Sequence, residues 1–160
     1  SAKAAIVLAD RSGDRSAQDA DARSILGVLA IEAQNSAVHT AAEVLDGDNE
    51  FHFRNAGVDE IIVSGSYTGN LLAHATIDPG LGGVYHDLLT MEGNRLHMVP
   101  VPAKLAGASF MKALEEVQRK ERALPIGLVR DGEVLLNPGK RELAAKDLLV
   151  VLAKERPQLS

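Results

Sequence analysis

The chain contains no cysteine, which excludes at once a disulfide framework, a thiolate zinc site and a cysteine nucleophile. Aromatic residues are nearly as scarce, with three Phe, two Tyr and no Trp in 160 residues. Together with a formal net charge of −5, this removes both the stacking platforms and the basic field that a nucleic-acid module needs. Long hydrophobic runs are missing too. The longest, such as residues 4–9 and 148–153, fall far short of the roughly 20 residues that cross a bilayer. What remains is 46% apolar and 24% charged, the balance of an ordinary folded chain rather than a disordered or fibrous one.

The charge is unevenly placed. Residues 1–92 carry 5 Lys/Arg against 14 Asp/Glu, whereas residues 93–160 carry 12 against 8. This split suggests two units, the first better suited to cations. Ser1-Ala2-Lys3 lead almost directly into an apolar strand, with no initiator Met and no signal or transit pattern, so the chain is expected to be a piece of something longer.

Residues 4–9 form a continuous apolar run closed by Asp10, the pattern of a strand buried on both faces. A polar loop then leads into a helical pattern over residues 19–33, with Asp19 or Asp21 as candidate cap. Its later part is apolar nearly all round, which predicts protein on both sides. Strands are expected over 37–44 and 61–63, with a helix at 50–56 ended by Gly57. Strand, helix, strand, helix, strand with short connections is the logic of a parallel sheet. Helical patterns follow over 68–77 and, after Asp78-Pro79-Gly80, over 84–91.

Beyond Gly93 the pattern changes. Residues 96–101 alternate like a strand, Ser109 can cap a helix whose Phe110, Ala113, Leu114 and Val117 share a face, and Asp131-Gly132 sits between two apolar segments as a hairpin turn. Residues 148–152 supply a last strand. The expected organisation is residues 1–78, a crossover segment at 79–93, and a small α+β unit over 94–160.

These residues resemble a known family. Leu105-Ala106-Gly107 before the helix with Phe110, then residues 126–132, Asn137-Pro138, Leu143 and residues 147–151 are similar to the C-terminal, TrkA-C subdomain of RCK (regulator of K⁺ conductance) domains. Residues 5–8, the segment 53–62 and the helix after Ser64 resemble the second half of the RCK Rossmann subdomain. The acidic loop 10–24, with its Leu8-Ala9-Asp10 start and Asp21-Ala22-Arg23-Ser24 finish, looks like the CASTOR/POLLUX branch. The implied fold is α/β: a partial, Rossmann-like parallel sheet followed by a small α+β TrkA-C-like subdomain. Complete RCK domains open with a strand and a Gly-rich phosphate turn, and nothing before Ala4 supplies these. The Gly-rich stretches 65–69 and 80–83 lack the context of a dinucleotide fingerprint. No NAD or ATP is expected on this segment.

For chemistry, Asp10 and Glu43 stand at the carboxyl ends of strands expected to be neighbours, the edge where open α/β sheets bind ligands. With Asp14, Asp19 or Asp21 in the adjoining loop they could offer the hard oxygens that Ca²⁺ or another divalent cation requires. The metal candidates are therefore Asp10, Asp14, Asp21 and Glu43, against the plainer reading of a turn, a cap and a solvated carboxylate. In calcium-gated archaeal members the resemblance points to three carboxylates. Of the matching positions here only Glu43 is acidic, the others being Leu8 and Leu45. Residues 46–50 resemble the start of an EF-hand loop but lack its later Gly and Glu, and read as a turn with a cap. The five histidines form no His-x₃-His pair, and no Ser nucleophile, base and orienting acid can be assembled.

The sequence thus points to no enzyme. It points to a cytoplasmic ligand-sensing and assembly domain, the gating-ring part of a potassium channel, homo-oligomeric and coupled to a membrane pore domain, with no nucleic-acid partner. The alternatives are a regulatory subunit of a Trk- or Kef-type potassium transporter and, from another class, a Rossmann-like enzyme fragment.

Overall fold

The computed structural model describes residues 2–90 and 93–159. The chain divides into two compact units, Ser1–Pro79 and Gly80–Ser160.

The first unit is built on a parallel sheet of β1 (Ala4–Val7), β2 (His39–Val44) and β3 (Glu60–Val63), in that spatial order. Ala5 pairs with Thr40 and Ala42 with Ile61. Helix α1 (Ala17–Gln34) joins β1 to β2. It starts two residues before the expected Asp19, because Ser16 caps it, accepting the Asp19 N–H at 3.1 Å. Asp21 does not cap. A 3₁₀ turn, Gly47–Asn49, and helix α2 (Glu50–Asn55) join β2 to β3, and α3 (Ser64–Ile77) follows β3 at once. Asp46 caps the 3₁₀ turn, accepting the Asp48 N–H at 3.1 Å.

One face of this sheet carries the core. Val28 of α1 meets Ala42 and Val44 of β2, with Phe53 of α2 fully buried among them. Each of these large side chains contributes roughly 1.5–3 kcal/mol by leaving water. Gly57 takes φ +95° at the end of α2, where an L side chain would be strained and its Cβ would press Glu32 at 3.3 Å. On the outer side of α1, Leu26 and Leu29 are exposed. Among the described residues of the first unit, none supplies the second protein face predicted by the helix's apolar surround.

The second unit contains α4 (Leu81–Leu89), β4 (Arg95–Pro100), α5 (Phe110–Glu121), β5 (Leu124–Arg130), β6 (Glu133–Leu136) and β7 (Leu148–Ala153). The expected end of the helix near Met91 lies outside the described residues. The four strands form an antiparallel sheet in the order β4-β7-β5-β6. Its inner face, with Val99, Leu128, Leu149 and Val151, packs on Phe110, Ala113 and Val117 of α5. The spacing of those three helical residues puts them on one stripe. Ser109 caps α5, accepting the Lys112 N–H at 3.3 Å. The β5–β6 hairpin turns on Asp131 (φ 51°) and Gly132 (φ +84°), the left-handed pair that matches the twist of adjoining strands.

Candidate functional site

The carboxyl edge of the parallel sheet gathers the residues singled out from the sequence. β1 ends at Val7, and two residues later the Ala9 N–H donates to Glu43 Oε2 at 3.2 Å. Glu43 therefore spans from β2 to the outgoing chain of β1. Asp10 lies at the head of the loop beyond. It accepts the Ser12 N–H at 2.9 Å and pairs with Arg15, which also donates to Ser12 Oγ at 2.7 Å. The Ser12 N–H first, then the Ser12 hydroxyl and the Arg15 guanidinium, hold the Asp10 carboxyl below the usual carboxylate range. Asp14 sits in the following turn at φ 55°, exposed to solvent.

Asp21 has a different role from the other three. It is fully buried on the inward stripe of α1, in line with Ser24 and Val28. Its carboxylate accepts the N–H groups of Leu45 at 3.0 Å and Asp46 at 3.1 Å, and the side-chain amide of Asn49 at 2.8 Å. It holds the loop between β2 and α2 in the manner of a bound anion, supplied by the chain itself. Three donors on two oxygens satisfy a buried charge that would otherwise be costly. Sequence reasoning missed this partnership. The one available signal was the position of Asp21 among buried residues of a helix stripe, since a polar group there needs a partner.

Chemically, Asp10, Asp21 and Glu43 are committed to backbone N–H groups, the Asn49 amide and one arginine, while Asp14 faces solvent. Among the described residues no three His, Asp or Glu side chains are gathered so as to hold a metal ion. At the opposite, amino edge, Asp59 accepts the Thr40 N–H at 2.7 Å and stands 3.4 Å from His39 Nδ1. That pair ties β2 to the turn before β3.

The second unit contains an internal ion pair. Arg130 of β5 and Asp147, just before β7, form a two-pronged pair, and Asp147 is almost wholly buried.

Residues 66–159, more than half of the chain, match the family model described as Castor and Pollux, part of voltage-gated ion channel. The chain belongs to this family. Among its relatives, the calcium-gated potassium channel TvoK of Thermoplasma volcanium is 25% identical over 141 residues, covering 87% of this chain and 40% of that protein. The probable ion channel POLLUX of Arabidopsis thaliana is 28% identical over 161 residues, covering 96% of this chain and 19% of that protein. The chain thus spans two fifths or less of these relatives. Among solved structures, the human SLO3 gating ring superposes with a TM-score of 0.75 at 18% identity, over 97% of this chain and 33% of that one. The likeness shows a shared fold. The Rossmann-like parallel sheet and the TrkA-C-like unit expected from the sequence are both present.

No helix among the described residues is long and apolar enough to cross a membrane.

Proposed function

We propose that this chain is the cytoplasmic regulatory part of a potassium channel, a ligand-sensing and assembly domain of a gating ring, and not an enzyme. The observation that carries the reading is the Castor and Pollux match over residues 66–159, joined to a gating-ring fold over 97% of the chain. The relatives compared are named ion channels. Two compact units on one chain suit a device whose subunits associate and whose ring has two geometries. A ligand with differential affinity for the two geometries shifts their populations, and the shift does work on a pore.

The ligand class is a divalent cation, Ca²⁺ first, at the acidic carboxyl edge. Its support is the archaeal relative named as calcium-gated and the excess of carboxylates in the first unit. Asp10 and Glu43 are the core of this proposal, with Asp14 or Asp21 completing the shell. Asp21 is the weakest member, because its oxygens already accept three donors. NAD and ATP are not its ligands in this reading. Residues 65–69 belong to α3 itself rather than to a phosphate-wrapping loop.

The test is potassium flux through liposomes holding the full-length protein. Opening should depend on Ca²⁺, and Glu43→Gln should shift the half-activating concentration at least tenfold. Flux unaffected by removal of this domain would refute the regulatory role.

A further inference from the structure

After β7 the chain turns back along its own unit. Lys154, Glu155, Arg156 and Gln158 are exposed, whereas Pro157 and Leu159 are half-buried, the alternation of an extended segment with one apolar side. Arg156 lies beside β4, an edge strand of the sheet, and its guanidinium donates to the Met98 carbonyl at 2.7 Å. Three residues on, Leu159 packs against the core cluster of this unit and shares a small hollow with Pro102, Leu105 and Val117. The segment thus follows the seam between α5 and the edge of β4. Only about 10 Å³ is left free beside Leu159, room for roughly one water molecule, so the leucine nearly fills its socket.

The segment is lightly held. Among the described residues no backbone hydrogen bond joins residues 155–159 to the rest of the unit, and Arg156 supplies their one side-chain bond. A regular ladder is interrupted on both sides, since Pro157 and Pro100 lack an N–H. The root of the segment spans an open hollow of about 560 Å³ lined by Glu121 and Arg122. The walls of the socket, by contrast, are tied together without Leu159. Glu116 of α5 stands 3.4 Å from Lys104, in the 3₁₀ turn Ala103–Leu105, and accepts from Lys120 at 2.7 Å. Segments with few buried contacts open well below the free energy of global unfolding, and this one leaves a formed socket behind.

We propose that residues 154–159 are a releasable strap over a docking seam, and that the seam takes an extended peptide carrying an arginine and, three residues later, a leucine. The strap itself shows what the seam reads: a guanidinium on the Met98 carbonyl and a branched apolar side chain in the socket. Extended residues of about 3.4 Å each set the two anchors roughly 10 Å apart. A helical segment, rising about 1.5 Å per residue, does not reach both at that spacing. Because a tethered strap acts at an effective concentration of order millimolar, a peptide in trans is excluded until the strap is loosened. The strap thereby sets the threshold for such a partner. The inference goes beyond the gating role and does not rest on the calcium edge.

Two measurements on the 160-residue chain test it. Because the chain has no cysteine, single thiols can be placed at Val117, 3% exposed beside Leu159, and at Val151, fully buried in the core. Alkylation of Val117→Cys should be insensitive to low urea, whereas Val151→Cys should react only through urea-dependent global unfolding. Adding Leu159→Asp should raise the ratio of the two rates at least about 20-fold. Arg156→Ala should raise it about fivefold, which keeps the test decisive if Leu159→Asp folds poorly. In the second measurement a fluorescein-labelled peptide, Lys-Glu-Arg-Pro-Gln-Leu, is titrated by anisotropy. It should bind the Leu159→Asp chain at least about 30-fold more tightly than wild type. Peptides with Ala in place of the Arg or the Leu should lose about tenfold. Equal urea dependence at both thiols overturns the strap. A peptide that binds neither protein overturns the docking seam, and one that binds both equally overturns closure by the strap. Binding that survives loss of both peptide anchors overturns the Arg-x-x-Leu assignment.

Discussion

Arg130 grips Asp147 with two parallel hydrogen bonds, Nε to Oδ1 at 2.8 Å and Nη2 to Oδ2 at 2.6 Å. The same carboxylate accepts the Ala144 N–H at 2.8 Å, and the same guanidinium reaches the Glu142 carbonyl at 2.9 Å. Together they hold the loop after β6 against the start of β7.

The pair predicts an acid limb of stability. The Arg130 hydrogen bonds first, then the Ala144 N–H and the guanidinium charge, lower the Asp147 pKa in the folded state. The unfolded chain therefore binds its proton first as pH falls. The stabilisation is complete above the ordinary Asp value of about 4 and is lost between that value and the lower folded one. Melting temperature should fall steeply below about pH 4, and Asp147→Asn should flatten that fall while lowering stability at pH 7 by about 2–3 kcal/mol. Asp10 and Glu116, also held low, should leave a smaller residual slope. An unchanged pH profile in the variant would refute the assignment.

Asp21→Ala should remove three hydrogen bonds to a buried carboxylate and cost the first unit about 2–3 kcal/mol. Hydrogen exchange should locate the loss, with the Leu45 and Asp46 amides exchanging much faster and the β1–β2 ladder less affected. Uniform acceleration across the unit would mean that Asp21 acts through packing alone.

Gly127→Ala would place a Cβ 2.5 Å from the Leu135 carbonyl oxygen, a contact that backbone must yield to relieve. A loss of about 1–3 kcal/mol is expected in urea denaturation, at a position with ordinary φ. Gly107, at φ +79° with open space around its Cβ position, should lose about 1–2 kcal/mol to Ala for the separate reason of left-handed backbone. Neutral behaviour of Gly127→Ala would contradict the close β5–β6 approach.

Millimolar Ca²⁺ should raise the melting temperature by mass action. Glu43→Gln or Asp10→Asn should remove most of the rise. No rise in wild type would remove the calcium site, and an equal rise in both variants would move it elsewhere.

The order of elements was readable because each long strand and helix announces itself by local period. Residues 4–7 and 148–153 are apolar runs, α5 is a clean stripe, and Asp131-Gly132 is a turn by its backbone preference alone. What could not be read is what depends on distant partners. Ser16 rather than Asp19 or Asp21 caps α1, since all three are acceptable acceptors and only the fold turns Asp21 inward to Leu45, Asp46 and Asn49. In the same way, the outward Leu96, Met98, Val134 and Leu136 look like core residues in one dimension. Strand pairing alone shows that they share the face opposite α5.

Helix α3 has no buried residue along its 14 positions, and an isolated helix of that length is marginal in water, because nucleation costs more than a few turns return. Its order is then a reporter of whatever it touches. If the proposed assembly covers this helix, helicity and subunit association form one equilibrium, so an effector that loosens the assembly should register as lost far-ultraviolet signal, and the entropy released by that melting would itself favour the loosened state.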